Sequence, residues 1–244
     1  MYKEIGSYNI HKMDEILKHV LYINLDYRTD RLEHVSKEFE KIGILNGERF
    51  PAIKMKVGYI GCSLSHIKCL ELAKTRDWPF VFICEDDITF TNPTVFLNSL
   101  RMFVESGISW DVLVVGGNNC PPFQVINEYC TRVQNIQTTT GYIVRKEYYD
   151  VLIENFKEGL NHLLREPDKK KQYCIDIYWK ELQKKDRWYL LTPLTVIQYY
   201  DYSDIEEKVT DYSALMLDFD KREFIERWMK QEKKKENRFR MNLV

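Results

Sequence analysis

No run of the 244 residues approaches the ~20 consecutive apolar residues that a membrane span requires. The opening stretch, residues 1–18, has no apolar core of the secretory-leader kind, so no export signal is expected there. None of the six cysteines stands in a CxxC pair, which speaks against a zinc site. Cys62 and Cys69 are seven apart in a helical pattern, which sets them about 10 Å apart along the axis, too far to bridge. Cys62, Cys69, Cys84, Cys120, Cys130 and Cys174 are therefore expected to be reduced, mostly buried thiols of an intracellular protein. Neither charge sign is in excess: the formal net charge is -1, which gives no support to a nucleic-acid-coating role. No internal repeat is found. What is present is a real core, with 44% hydrophobic and 14% aromatic residues, in a length that suits one large domain or two small ones.

The stretch Phe80-Val81-Phe82-Ile83-Cys84-Glu85-Asp86-Asp87 organises the chain. Five apolar residues run without alternation into three carboxylates. A continuous apolar run reads as a strand buried on both faces. Open α/β sheets bind ligands outside the carboxyl ends of their strands. Three acids there repel one another unless a cation sits among them. Mg²⁺ or Mn²⁺ with oxygen ligands suits that setting. A solvated acidic turn suits it too, since Thr89 and Asn92-Pro93 follow.

Val20–Leu25 reads as a first strand. Helical spacing follows from Leu32 through Val35, Phe39 and Ile42, closed by Gly43. Arg28 and Arg31 at that helix start offer guanidinium forks to an anion. An ordinary first turn, with Asp30 capping and the arginines paired locally, is the favoured alternative. Phe50–Ile53 reads as a short strand and Gly58–Lys74 as a helix carrying Ser65 and His66. Adjacent helix residues diverge in direction, so those two are not a catalytic dyad. His66 is either a packed, satisfied histidine or a contact to phosphate or sugar.

Val95–Val104 reads as a helix. Trp110–Asn119 reads as a buried strand ending in small residues, where a ligand or a backbone can approach closely. Cys120–Tyr129 reads as a loop. Val133–Ile136 and Tyr142–Val144 read as two strands joined through Thr138–Gly141. Lys146–Phe156 reads as a helix, Glu166–Lys171 as a mobile charged loop, and Tyr173 to about Lys185 as one helix. Asp176 near its start is a cap or a general base, beside Tyr178 and Trp179, whose faces suit sugar stacking. Trp188–Leu191 and Thr195–Tyr199 read as strands. The tail from Phe219, with Ile225, Trp228 and Met229 on one side and many basic residues between Lys221 and Arg240, reads as a basic amphipathic helix. A helix packed on the domain is the preferred reading; peripheral contact with anionic membrane is the other.

Five segments together resemble glycosyltransferase family 25, which includes lipooligosaccharide and procollagen galactosyltransferases. They are Tyr22–Arg31, Gly61–His66, Glu85-Asp86-Asp87, Thr139–Tyr142, and Gln198 with Ser203-Asp204-Ile205, spanning about residues 20 to 205. The resemblance implies an α/β GT-A (Rossmann-like) nucleotide-sugar transferase fold, a mixed central sheet flanked by helices. Residues 1–205 would be the catalytic domain and 206–244 a charged C-terminal helical extension. It implies a UDP-sugar donor, galactose or glucose, inversion, and Mn²⁺ or Mg²⁺. Carried over by position, Asn24, Leu25, Arg28 and Arg31 frame the nucleotide. Ser65, His66 and Asp86 face the donor, and Asp204 lies near the diphosphate or metal. Glu85 and Asp87 hold the metal, although Glu-Asp-Asp departs from a strict Asp-x-Asp. Asp176 is the expected base. The acceptor is a hydroxyl on a glycan, lipid-linked or protein partner, with no nucleic-acid partner. A cytoplasmic enzyme of bacterial or viral origin is expected. The competing classes are a haloacid-dehalogenase-type phosphohydrolase, for which Glu85 is a poor first acid, and a non-catalytic nucleotide-sugar binding module.

Overall fold

The computed structural model describes residues 13, 15–227 and 229–230. Its frame is an eight-stranded sheet built from β1 (Val20–Asn24), β2 (Glu48–Pro51), β3 (Phe80–Glu85), β5 (Val112–Asn119), β6 (Phe123–Val125), β7 (Cys130–Val133), β8 (Ile136–Arg145) and β9 (Trp188–Leu191). The order across the sheet is β2-β1-β3-β8-β5-β9-β7-β6. β2, β1 and β3 run parallel, and so do β5 and β9. β8 is antiparallel to both β3 and β5. The sheet is therefore mixed, as expected.

Side-chain alternation sorts the strands between two cores, because successive residues point to opposite faces. Leu21, Ile23, Val81, Ile83, Val112, Val114, Tyr142 and Val144 lie in one cluster. Val20, Tyr22, Phe82, Cys84, Leu113, Val115 and Ile143 lie in the other. Helices α2 (Gly58–Thr75) and α4 (Tyr149–Arg165) close the first face through Ile67, Leu70, Leu152 and Phe156. Helices α1 (Thr29–Lys41) and α3 (Pro93–Glu105) close the second through Val35, Phe39, Phe96 and Leu100. A strand covered on both sides needs apolar residues at every position, which is why β3 reads as an unbroken run.

Two ribbons stand outside the sheet. β4 (Ile88–Phe90) pairs antiparallel with β10 (Val196–Gln198), and β11 (Asp201–Ser203) pairs with β12 (Lys208–Thr210). They carry the chain around residue 200 over the carboxyl ends of β1 and β3.

Several expectations are corrected. The segment expected as two strands joined at Thr138–Gly141 forms the single strand β8, preceded by β7 at Cys130–Val133. The expected loop Cys120–Tyr129 contains the edge strand β6, whose alternation is too short and too exposed to register as a pattern. The expected mobile loop at 166–171 is a 3₁₀ turn over Pro167–Lys169 running into α5 (Lys170–Tyr173). The helix expected from Tyr173 is broken: Cys174 is extended (ψ 146°), and two short helices follow, α6 (Ile175–Tyr178) and α7 (Lys180–Lys185). At Gly116 the neighbour is protein, since a Cβ there would lie 2.5 Å from the Val196 side chain. Residues 208–217 contribute β12 and α8 (Ser213–Leu217), with Met216 buried. Trp228 and residues 231–244, on which much of the tail reading falls, lie outside the described residues.

Candidate active site

Strand direction gathers the chemistry. β1 ends at Asn24 and β3 at Glu85, followed by the turn Asp86-Asp87. β8 runs the other way, so Gln137, Thr138 and Thr139 at its start arrive at the same edge.

Asp86 is buried and accepts from Asn24 Nδ2 at 2.7 Å and from Arg31 Nη1 at 3.1 Å. Asn24 is fixed in turn by Arg49, whose Nε donates to Asn24 Oδ1 at 2.8 Å. Asp87 is buried beside it. Its Oδ2 accepts from Arg31 Nη1 at 3.3 Å and from Gln198 Nε2 at 3.4 Å. Its Oδ1 is buried with no hydrogen-bond partner. The β4–β10 ribbon locks the turn, with Tyr199 N donating to Asp87 O at 2.7 Å. Glu85 takes other partners. The Thr139 hydroxyl donates to its Oε1, and His66 Nε2 lies 3.4 Å from the same oxygen.

These environments separate the three acids. Burial pushes Asp87 well above the usual carboxylate range, and the neighbouring Glu85 charge adds to that. Burial also raises Asp86, against the pull of Arg31 and the Asn24 hydrogen bond. Burial acts upward on Glu85 as well, but the hydrogen bonds and charge from His66 and the Thr139 bond prevail and hold it low. An unpartnered buried carboxylate oxygen costs free energy until a cation or donor meets it. The all-oxygen set of Asp86 and Asp87 with Glu85 nearby is the donor chemistry that hard divalent ions take, so the residues fit Mg²⁺ or Mn²⁺.

Arg28 and Arg31 lie under the β11–β12 ribbon. Arg28 donates to Asp30 at 2.8–3.2 Å, to Asp204 at 2.6 Å, to the Tyr202 carbonyl at 3.1 Å and to Asp201. Asp30 does not cap α1; its hydrogen bond with Arg28 holds its carboxyl at about 2. Arg31 reaches Asp201 at 3.2 Å and the Tyr202 carbonyl at 3.0 Å as well as the two acids. Asp204 also accepts from the Tyr27 hydroxyl at 2.7 Å. Leu25 contributes its carbonyl to Arg28 N at 2.9 Å.

Ser65 and His66 are fully buried. Ser65 Oγ accepts from Ile53 N at 2.9 Å and donates to Gly61 O at 2.8 Å. His66 Nδ1 lies 2.8 Å from the Tyr142 hydroxyl. Asp176 is half-buried and accepts from Thr138 N at 3.1 Å; burial raises its carboxyl, and that same hydrogen bond works against it. Thr138 holds φ of 73°, a left-handed value that a β-branched residue rarely takes. Trp179 corrects an expectation: it is fully buried, donates to Ile136 O at 3.0 Å and packs edge-on against Tyr142, so it offers no face to a sugar.

Sequence reasoning passed over Thr139 as a partner of Glu85, and Asp201 and Arg49 as supports of the acid cluster. Thr139 lay inside a motif already singled out. Asp201 and Arg49 carry no local signal, because only the ribbon and the strand pairing bring them in.

The frame and site together define an α/β protein with a cluster of buried acids at the carboxyl ends of its strands, the edge at which open α/β sheets bind ligands. Comparison with known proteins finds two similarities of sequence. The model of glycosyltransferase family 25 (LPS biosynthesis protein) matches residues 54–109, the α2–β3–α3 segment that carries the acids. A curated relative from Anopheles gambiae, described as a glycosyltransferase 25 family member, is 25% identical over 196 residues, or 66% of this chain. The chain spans 31% of that relative's length. Both similarities point to glycosyltransferase family 25, the family that the motifs resemble. Among solved structures, a glycosyltransferase involved in glycosylation of the major capsid of PBCV-1 is similar at a TM-score of 0.40 and 12% identity, covering 82% of this chain and 89% of that one. An apo UDP-glucose pyrophosphorylase is similar at a TM-score of 0.45 and 10% identity, covering 80% of each chain. Likenesses this distant carry no inference about the chain. Among the described residues no helix is long and apolar enough to cross a membrane.

Proposed function

We propose that the chain is a metal-dependent inverting glycosyltransferase of GT-A type. It would move a hexose, galactose or glucose, from a UDP-sugar to a hydroxyl on a glycan, lipooligosaccharide or hydroxylysine. The observation that carries this reading is Asp87: a buried carboxylate with one oxygen unpartnered, beside Asp86 and Glu85 at the carboxyl edge of the sheet.

Glu85 and Asp87 would hold Mn²⁺ or Mg²⁺. Bound there, the ion supplies Lewis acidity to the leaving diphosphate. Arg28 and Arg31 bind anions with forked donors, now occupied by Asp30, Asp86, Asp87, Asp201 and Asp204. A donor phosphate would compete with Asp201 and Asp204 for those protons. Asn24 and Leu25 would frame the nucleotide at the end of β1, and Ser65 and His66 would support the donor edge from α2. Asp176 takes the acceptor proton in this reading. Its raised basicity suits a general base, and Thr138 N holds the carboxylate in place through Oδ2. An open cleft of about 590 Å³ is lined by the neighbouring residues Gln172, Ile177, Tyr178, Lys180, Glu181 and Lys184, though not by Asp176 itself. Thermal-shift screening of UDP-sugars with and without Mn²⁺ tests the reading, because a ligand that binds only the folded state raises apparent stability. A UDP-hexose shift that requires Mn²⁺ supports it; no shift from any UDP-sugar in either condition overturns it.

A further inference from the structure

On the same edge, Cys62, His66 and Glu85 bring one ligand atom each to within 4.8 Å of one another. Cys62 and His66 are four apart on α2, so both side chains leave the same helix face. Glu85 Oε1 lies 3.9 Å from Cys62 Sγ and 3.4 Å from His66 Nε2. Tetrahedral zinc bonds of about 2.3 Å to sulfur and about 2.1 Å to nitrogen and oxygen put ligand atoms roughly 3.4–3.6 Å apart. The two measured separations are close to those values before any ion has drawn the groups together.

The surroundings are those of a ligand set. A metal-binding imidazole ordinarily offers its other nitrogen to a fixed partner, which sets the tautomer. His66 Nδ1 has that partner in the Tyr142 hydroxyl at 2.8 Å, leaving Nε2 toward Glu85. The Thr139 hydroxyl orients the carboxylate. A thiol, an imidazole and a carboxylate form a softer set than the all-oxygen acids around Asp87, and such sets select Zn²⁺-like ions over Mg²⁺ or Mn²⁺.

We propose that Cys62, His66 and Glu85 form a three-ligand site for a thiophilic divalent ion of the Zn²⁺ type, with the fourth position left to water. The missing CxxC pair does not exclude it, because the ligands come from a helix i,i+4 pair and a strand end. Zn²⁺ at this site engages the carboxylate assigned above to the hard ion, so the two ions contend for Glu85. Binding itself does not depend on the transferase reading.

The test uses the full chain freed of metal with a chelator. Titration with zinc chloride in a calorimeter should show one high-affinity equivalent. Co²⁺ should give a thiolate-to-metal charge-transfer band in the wild-type protein. C62S should lose that band and weaken Zn²⁺ by at least the roughly 10–100-fold that loss of an outer-shell partner costs, while C174S keeps both. Y142F should weaken Zn²⁺ by about 10–100-fold and retain the band. The proposal is overturned if wild-type protein shows neither stoichiometric Zn²⁺ binding nor a Co²⁺–thiolate band. It is equally overturned if C174S rather than C62S abolishes them.

Discussion

Asp87→Asn separates a binding acid from a folding acid. In the metal-free protein the Asp87 carboxyl is buried, raised by burial and by the Glu85 charge, and lacks a partner on Oδ1. A carboxyl whose folded-state pKa lies above the unfolded value gives stability that is fully present below the unfolded value, 3.8, and that is lost as pH rises through the folded one. At neutral pH the metal-free wild type is therefore destabilised by this group, and the asparagine removes that burden. Without metal, Asp87→Asn should match or exceed wild-type stability and show a flatter loss of stability as pH rises above 4. With Mn²⁺ and UDP present at about 100 times Kd, linkage gives the wild type about 2.7 kcal/mol. At roughly 2–4 °C per kcal/mol for a chain of this size, the expected rise in melting temperature is about 5–10 °C. The variant should lose nearly all of it. Differential scanning fluorimetry of both proteins, with and without Mn²⁺ plus UDP, reads this directly. An equal ligand-dependent rise in the two proteins would refute the assignment of Asp87, and a metal-free variant that is several degrees less stable would refute the electrostatic argument.

Other outcomes follow from the same structure. Asp176→Asn should leave UDP-sugar affinity unchanged and lower transfer by about 10²–10⁴-fold; undiminished turnover moves the base elsewhere. Asp30→Asn should flatten the loss of stability as pH falls from 4 toward 2, because Arg28 holds the Asp30 carboxyl at about 2 and its contribution disappears across that window; acid melts with unchanged slope contradict this. Gly61→Ala should destabilise by about 1–3 kcal/mol in urea unfolding, since its Cβ would meet Ile53 O at 2.3 Å and backbone cannot yield cheaply.

The sheet was legible where burial dictates composition. The run from Phe80 to Cys84 and the strand from Trp110 announced themselves because both faces are covered. The acids at the end of β3 were legible because charge after a core strand is rare. Local pattern failed where the fold depends on partners distant in sequence. β6 joins the sheet through β7, whose other neighbour β9 lies far along the chain, and Phe123 of β6 packs on Phe219; the Asp201 contacts to Arg28 and Arg31 exist because the β11–β12 ribbon folds over α1. The break at Cys174 has no proline or glycine to mark it. Trp179 looked like a stacking platform beside Asp176 because residue type says nothing of direction. In the fold it turns inward to Trp188 and Tyr142.

Manganese anomalous density in crystals soaked with UDP and Mn²⁺ tests the central claim most directly. A peak within coordination distance of Asp87 Oδ1, bridging to the diphosphate, is the predicted result. Ordered UDP with no manganese peak at that carboxylate would contradict it.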